Sequence, residues 1–379
     1  MLKLLHTANW HIGRNFGIFQ KDDADKLRRD RVTAVESLFG LAERYDVDAV
    51  LCAGDLFDQP SPDDQSWQAI RDILKSAASD SRPIILLPGS HDPLVMDSIY
   101  EINHDFRAQL PPSVHIVDED NFELPLNDGV LYSAPCRAHA SDKDLTTSLS
   151  GRSADDSRIR IGMVYGTVMS EEGGINYPVS AQAPVNLGLD YLASGSSNAW
   201  QEIANDGSAP IVYPGTPEPT GFGDTDCGFV SLATLRRAGA SPRLKQERVS
   251  RWTWRDETVT SIDHLVQLAR EDLKSTVLRI NLCMTVGMHE IDLMDRALNA
   301  IGGTDSISAR AGAFLCDRSA LRVNVAEWSI ENLDLPEAIV ATVDRLKLES
   351  QDIDQSRAEV AQQALLVLQK LLKDKGVIN

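Results

Sequence analysis

Short apolar runs alternate with predicted helices along the first 90 residues. Met1 to Leu5, Val47 to Ala53 and Pro83 to Leu87 are apolar runs of strand length, typical of strands buried on both faces. Residues 22–44 place apolar side chains at helical spacing with charges between them, and residues 62–78 form a second predicted helix. This alternation predicts a parallel sheet with helices packed outside it.

The pattern then changes to many short strands. Between residues 113 and 135 the apolar runs are short and alternating, which favours a second sheet of antiparallel character. Residues 137–158 are polar and rich in Ser and Asp, so we expect a surface excursion there. Further short runs complete this strand-rich region: Ile159 to Val164, Tyr191 to Ala193, Ile211 to Thr216 and Gly228 to Leu232.

The remaining third of the chain is organised separately. Residues 236–246 are basic and rich in small residues, which indicates a linker. A small α+β module follows, with predicted strands at Thr276 to Val286, Ile307 to Cys316 and Leu321 to Val325 and a helix at His289 to Ile301. We therefore divide the chain into a first domain at 1–238, an α+β capping domain at 246–330 and a C-terminal helical segment at 331–379.

The C-terminal segment contains two predicted helices, Pro336 to Leu348 and Ser356 to Lys373. The second helix carries an apolar stripe made of Val360, Ala364, Leu365, Val367, Leu368, Leu371 and Leu372. Two interpretations stay open at this point. The stripe either packs against the core, or docks a partner helix.

Composition limits the class of protein. The 379 residues are 42% hydrophobic and 25% charged, which is ordinary for a globular protein, and the net charge is −19. That charge argues against non-specific coating of nucleic acid, although a local basic groove stays compatible with it. The five cysteines form no Cys-x-x-Cys pair, so we expect free thiols. Because no apolar run approaches the roughly 20 residues of a membrane span, we expect a cytoplasmic protein without a membrane partner.

Polar side chains cluster where the predicted buried strands end. They lie in five short stretches: HTANWHIGR at 6–14, GDLFD at 54–58, PGSHD at 88–92, VYGTV at 164–168 and YLASGSSNAWQ at 191–201. Such strand ends converge along one edge of a sheet, where oxygen and imidazole ligands can form a two-metal hydrolytic site. In the first stretch an aspartate at position 9 would complete an Asp-x-His pair, but the residue is Asn9.

In this order and spacing the five stretches resemble the motifs of the calcineurin-like metallophosphoesterases. They are most similar to the SbcD-type nucleases of double-strand-break repair, and YPGTPEPTGFGD at 213–224 resembles the segment that closes the phosphoesterase domain there. The resemblance implies a four-layer α/β/β/α sandwich with a small α+β cap and C-terminal helices. It also implies a homodimer that binds an SbcC-type, SMC-like ATPase and reaches DNA through that complex.

The resemblance is much weaker at the metal ligands. The family coordinates two divalent ions, Mn²⁺ in the nucleases, through seven positions that correspond here to Asn9, His11, Asp55, Ser90, Tyr165, Ser196 and Asn198. Only His11 and Asp55 keep the family residue. Two strong ligands cannot hold two hard cations, since each cation needs several oxygen donors. His91 keeps the position of the histidine that contacts the scissile phosphate, and we expect it to be vestigial.

The substitutions predict a catalytically degenerate subunit that supplies dimerisation and ATPase docking in DNA repair or anti-phage defence. We expect no resident metal in that case. The alternative is a weak or partner-activated metal-dependent nuclease that uses Mn²⁺ or another divalent cation at His11, Asp55 and His91. A third interpretation is a nucleotide- or phosphate-binding module with Arg14 and His91 as anion contacts.

A relocated metal site has less support in the sequence. It would have to recruit other histidines, but these do not lie at predicted strand ends of this edge, and His6 lies inside the first strand. The histidines in question are His104, His115, His139, His264 and His289. We therefore expect loss of the site with retention of the fold.

Overall fold

A computed structural model of the chain describes residues 1–151, 153, 156–169, 176–204, 209–303, 310–324, 335–351 and 354–375. The chain divides into two compact units, Met1–Trp254 and Arg255–Asn379. The first unit contains the candidate functional residues.

The elements of the first unit follow the predicted alternation closely at the start. They are β1 (Leu2–Thr7), α1 (Lys21–Arg44), β2 (Ala49–Cys52), α2 (Asp64–Ala77), β3 (Ile84–Leu86), α3 (Asp105–Ala108), β4 (Val114–Ile116), β5 (Phe122–Leu126), β6 (Gly129–Ser133), β7 (Ile159–Tyr165), β8 (Thr167–Val168), β9 (Pro178–Val179), α4 (Ala183–Leu187), β10 (Tyr191–Gly195), β11 (Trp200–Ile203), β12 (Ile211–Pro214), β13 (Phe229–Leu235) and β14 (Arg243–Arg248). A 3₁₀ helix at Leu145–Ser148 lies between β6 and β7. The three predicted strands and two predicted helices of the first 90 residues are confirmed.

The first sheet has the strand order β14-β13-β1-β2-β3-β4. Strands β1 to β4 are parallel, while β13 and β14 are antiparallel to their neighbours. The placement of β4 corrects the prediction, which assigned residues 113–135 to the second sheet. Strand β4 instead extends the parallel series, with Ile84 paired to Val114.

The second sheet has the order β11-β12-β10-β7-β6-β5. Its four inner strands are parallel, and only the edge pairs β5–β6 and β11–β12 are antiparallel. The predicted antiparallel character is therefore wrong for the centre of the sheet. The physical reason is burial: every residue of β6 and β7 is buried, as expected for central parallel strands covered on both faces.

Two hydrophobic cores separate the layers of the first unit. Alternate residues of the first sheet point to opposite faces, so that Leu51 packs in the core between the sheets and Val50 packs against α1 and α2. The second sheet is covered on its outer face by thin elements, the 3₁₀ helix with Leu145 and α4 with Ala183. The layers thus follow the predicted α/β/β/α order, with a reduced fourth layer.

The linker predicted at residues 236–246 is wrong in position. Strand β14 pairs with β13 along six residues, and a turn with Gly239 at φ +71° joins them. The basic character arises because β14 is an edge strand with exposed residues such as Arg243 and Lys245, and charges protect such an edge from further pairing. The first unit continues to Trp254.

From the boundary onward the chain forms an α+β unit. Its elements are β15 (Thr253–Val259), α5 (Ile262–Leu268), β16 (Thr276–Leu282), β17 (Thr285–Gly287), α6 (Ile291–Gly302), β18 (Ala313–Asp317), β19 (Arg322–Asn324), α7 (Glu337–Glu349) and α8 (Gln355–Asp374), with a 3₁₀ helix at Met288–Glu290. One sheet has the order β15-β16-β18, and β17 pairs with β19. The strand predicted at Thr276 to Val286 is two strands. Parts of two other predicted strands, at 307–309 and 325, lie outside the described residues.

The two C-terminal helices pack on the core of this second unit. Val343 of α7 and Leu365 and Leu372 of α8 are buried in the same cluster as the strands and α6. Leu368 is partly buried against the same cluster, whereas Val360 and Val367 are 66% and 59% exposed. Core packing is therefore confirmed for Leu365 and Leu372, while docking of a partner helix stays a prediction for the exposed residues of α8. None of the described helices is long and apolar enough to cross a membrane.

Candidate functional site

Loops that follow β1, β2 and β3 meet at one edge of the first sheet. They carry Asn9 and His11, Asp55, and Ser90 and His91 respectively. The first two loops run side by side, since Asn9 N donates to Gly54 O (2.9 Å) and His11 N donates to Asp55 O (3.0 Å). This arrangement is the expected result of parallel neighbouring strands ending at one edge.

The backbone is strained at four of these positions. Left-handed φ angles of 54°, 45°, 53° and 102° occur at Asn9, His11, Asp55 and Ser196. Non-glycine residues adopt this conformation infrequently, and it persists where the surrounding contacts enforce it. The surrounding contacts therefore hold these four residues in conformations of the kind that cluster at functional sites.

Two glycines allow the loops to approach closely. A Cβ atom on Gly89 would lie 2.2 Å from Asp55 N, and one on Gly195 would lie 1.8 Å from Ala53 O. No side chain can occupy either position without a backbone shift. Gly195 ends β10, so this contact brings the second sheet against the loops of the first.

Asp55 is held by a hydrogen-bonded chain that includes Tyr165 from the end of β7. Tyr165 Oη donates to Asp55 Oδ2 (2.8 Å) and accepts from Ser90 Oγ (2.8 Å). The other carboxylate oxygen, Oδ1, accepts from His91 N (2.8 Å). Burial, reinforced by the Asp55 charge, raises the pKa of the Tyr165 phenol well above its usual value. The phenol is therefore a permanent donor to Asp55.

A second network joins Asn9 to the loop after β10. Asn9 Nδ2 donates to Ser197 O (2.7 Å) and Asn198 Oδ1 (3.4 Å), and Ser196 N donates to Asn9 Oδ1 (3.3 Å). Asn198 Nδ2 in turn donates to Asp224 Oδ1 (3.1 Å). The substituted positions on the two sheets are thus bonded to one another.

A third group of contacts converges on Asp58. Its Oδ1 lies 3.2 Å from His11 Nδ1, 3.2 Å from Arg14 Nη1 and 3.7 Å from His91 Nδ1. The two imidazole rings meet edge to face, with centroids 4.7 Å apart. Burial lowers the pKa of His11, and Asp58 opposes that effect. Burial alone would raise the pKa of Asp58, but the contacts with His11 and Arg14 lower it overall. His11 is therefore neutral beside an ionised carboxylate.

All eight residues singled out from the sequence lie at this junction of the two sheets, but their contacts could not be read from the sequence. Asp58 was not expected to have a role, although it ends the GDLFD stretch. His139 corrects a prediction, because its Nδ1 lies 2.9 Å from Ser90 O and so reaches this edge. The loop that carries His139 therefore contacts the loop of Ser90, and no local sequence pattern indicates that contact.

The geometry can be compared with known proteins. A family model described as calcineurin-like phosphoesterase matches residues 2–210, more than half of the 379-residue chain. The chain belongs to the calcineurin-like phosphoesterase family. The resemblance inferred from the motifs is thereby confirmed for the phosphoesterase fold.

Individual relatives of this calcineurin-like phosphoesterase are distant. The DNA double-strand break repair protein Mre11 of Saccharolobus solfataricus is 23% identical over 223 residues, 58% of this chain and 55% of that protein. The uncharacterized metallophosphoesterase YhaO of Bacillus subtilis is 24% identical over 239 residues, 60% and 56% of the two chains. The SbcD chain of the nuclease SbcCD of Bacillus subtilis is 30% identical over 93 residues, 24% and 22% of the two chains. The chain spans about half the length, or less, of these curated relatives.

Three residues could hold a divalent metal ion of the kind this family binds. His11, Asp55 and His91 each offer one ligand atom, and these atoms all lie within 4.8 Å of one another. Two imidazoles and a carboxylate suit a single transition-metal ion. When bound, such an ion would act as a Lewis acid toward a phosphoryl oxygen.

Proposed function

We propose that this chain is a catalytically degenerate phosphoesterase-fold subunit related to SbcD. In this proposal it serves as the dimerisation and docking component of a complex with an SMC-like ATPase, in DNA repair or anti-phage defence. The observation that carries the loss of catalysis is the Tyr165 hydroxyl, which donates to Asp55 and accepts from Ser90. A protonated phenol thus occupies the contacts that the family devotes to a second metal ion.

The remaining substituted positions support the same conclusion. Asn9 Nδ2 donates to Ser197 O, Ser196 Oγ donates to Gly166 O, and Asn198 Nδ2 donates to Asp224. Neutral amides and hydroxyls bind hard cations weakly compared with carboxylates, and these groups are already hydrogen-bonded. The residues present therefore do not fit a two-ion cluster. Hydrogen bonds between the sheets take the structural place of the metals.

The docking role is supported by the relatives and by the surface of the second unit. Several relatives are named as the SbcD chain of the nuclease SbcCD, a protein of at least two subunits. In this chain Leu348 of α7 and Val360, Val367 and Leu371 of α8 are between 52% and 75% exposed. An apolar face of this kind suits a helix of a coiled-coil ATPase.

Self-association is the other part of the proposed role. Between β3 and α3, Met96 is 83% exposed and Ile102 is 69% exposed. Large exposed apolar side chains favour an interface with a second copy. Light scattering on the purified chain measures its mass directly. A monomer at all concentrations would remove homodimerisation from the proposal.

A single-metal phosphodiesterase is the second candidate, and the grouping of His11, Asp55 and His91 favours it. Elemental analysis of the purified protein, combined with exonuclease and endonuclease assays in Mn²⁺, separates the two functions. The degenerate subunit predicts no stoichiometric metal and no turnover. Stoichiometric manganese, iron or zinc together with turnover that Asp55→Ala abolishes would overturn it and support the enzyme.

A further inference from the structure

A cleft of about 830 Å³ lies beside the candidate site without using its polar side chains. It is bounded by α1, by the first turns of α2 and by the loop that follows His11, from Ile12 to Asn15. Its volume falls within the range of small-molecule and cofactor sites. All of its walls belong to the first unit.

Arginines on α1 give one wall of the cleft spare hydrogen-bond donors. Arg28 forms an ion pair with Asp25, which engages one nitrogen of its guanidinium. No hydrogen bond or ion pair of the Arg29 side chain is present among the described residues. A guanidinium offers five N–H donors in a planar fork that matches phosphate oxygens. The α1 wall therefore presents uncommitted donors to the cleft.

The acidic residues of the cleft already have ion-pair or hydrogen-bond partners within the protein. Asp25 faces Arg28, and Asp63 accepts from Ser66 N (2.9 Å) and Ser66 Oγ (2.6 Å) as the N-cap of α2. The ion pair with Arg28 neutralises Asp25, whereas Asp63 stays ionised, because the effect of burial is outweighed by the hydrogen bonds from Ser66, which lower its pKa. Arg29 is the cation of the cleft without an ion pair among the described residues, so an anionic ligand is expected at Arg29.

The rest of the cleft suits an aromatic ring. Val32 and Ala69 are partly exposed and supply apolar surface, while the amides of Asn15 and Gln65 line the same cleft. Amide side chains donate to and accept from the edges of nucleobases. An anion site joined to apolar surface and amide groups matches a nucleoside phosphate.

We infer that this cleft binds a nucleoside phosphate, with the phosphate at Arg28 and Arg29 and the base against Val32 and Ala69. The ligand is a free nucleotide or the 5′-phosphorylated end of a strand, since both carry the same chemistry. The inference does not depend on a metal at His11, Asp55 and His91, and it goes beyond the proposed docking function.

Isothermal titration of the full chain with AMP, ATP and a 5′-phosphorylated oligonucleotide tests this inference. Arg29→Gln should weaken binding about tenfold to a hundredfold, because it removes a charge-assisted phosphate contact. Arg44→Gln is the matched control, because Arg44 is an exposed arginine in the last turn of the same helix and lies outside the cleft. The affinity of the Arg44→Gln variant for each probe should equal that of the unmodified chain.

A second variant tests whether binding needs the open volume of the cleft, independently of its charged side chains. Ala69→Phe fills the cleft without altering any charged group and should abolish binding, with circular dichroism confirming the fold. Tighter binding of AMP than of the oligonucleotide identifies a free nucleotide as the ligand, and the reverse identifies a strand end. Absence of binding by all three probes, or equal affinities in Arg29→Gln and Arg44→Gln, would overturn the inference.

Discussion

Tyr165 donates a 2.8 Å hydrogen bond from its phenol to Oδ2 of Asp55, across the interface between the two sheets. Asp55 follows β2 of the first sheet and Tyr165 ends β7 of the second. The bond therefore joins the layers at the edge where the motif resemblance predicts the metal ligands. In this chain the same edge has a structural role, and that role can be measured.

Tyr165→Phe should lower the free energy of unfolding by about 1–3 kcal/mol, because it leaves a buried carboxylate oxygen without its donor. Urea denaturation of the two proteins measures this difference. Tyr45→Phe is a suitable control, since that hydroxyl faces Glu247 at the partly exposed edge of the sheet. We expect Tyr45→Phe to lower the free energy of unfolding by less than Tyr165→Phe does. Equal losses in both variants would show that the Tyr165 bond has no special structural role.

Much of the first sheet could be predicted because local pattern determines it. The runs around β1, β2 and β3 are continuous and apolar, and the helices between them have clear periodicity. Strand β4, only three residues long, carries no such signal. Strand β14 resembled a linker because its exposed, charged residues protect a sheet edge. Whether such short segments form strands depends on the neighbouring strands with which they pair, and a single sequence does not show which strands are neighbours.

The positions of the site were predictable, whereas their bonding was not. The motif order predicts that Asn9, Ser90 and Tyr165 occupy ligand positions of the family. That these side chains bond to Asp55 or to the opposite sheet depends on the approach of two sheets made from distant parts of the chain. Asp58 and His139 were missed for the same reason, since their contacts are tertiary.

Restoring the family ligands should restore metal binding. The variant combines Asn9→Asp, Ser90→Asn, Tyr165→His, Ser196→His and Asn198→His, which rebuilds the set of seven. Mn²⁺ at 100 times its Kd should then stabilise this variant by about 2.7 kcal/mol, because only the folded state binds the ion. Thermal unfolding with and without Mn²⁺ measures the effect. The proposal of degeneracy would fail if Mn²⁺ stabilised the unmodified chain equally.

Glu218 should make stability depend on pH. Burial raises its pKa to about 7, although the backbone N–H of Arg251 and the charge of Arg31 oppose this, and Asp30 reinforces it. One carboxylate oxygen, Oε2, has no hydrogen-bond partner among the described residues. A raised pKa means that the folded state holds its proton where the unfolded state has lost it. The stabilisation is complete below about pH 4.5 and disappears as the pH rises through 7.

The measurement for Glu218 is the free energy of unfolding in urea between pH 4.5 and 8. Glu218→Gln keeps the neutral form at every pH, so its stability relative to the unmodified chain should rise across this range. The contributions of other ionisable groups to the pH dependence of the unfolding free energy cancel, because both proteins carry these groups. A constant difference between the two proteins would show that Glu218 titrates normally.

The two faces of α8 should respond differently to substitution. Leu365 is fully buried in the core of the second unit, so Leu365→Ala should cost about 2–5 kcal/mol of unfolding free energy. Val367 is 59% exposed, so Val367→Asp should change stability by less than about 0.5 kcal/mol. Co-purification with an SMC-like ATPase should nevertheless be lost in Val367→Asp, because a charge enters the apolar face proposed to dock it. Thr342→Asp adds the same charge at an exposed position of α7, about 120° around that helix from the exposed Leu348, and should leave co-purification intact. If Val367→Asp retained the partner, the exposed residues of α8 would not form the docking surface.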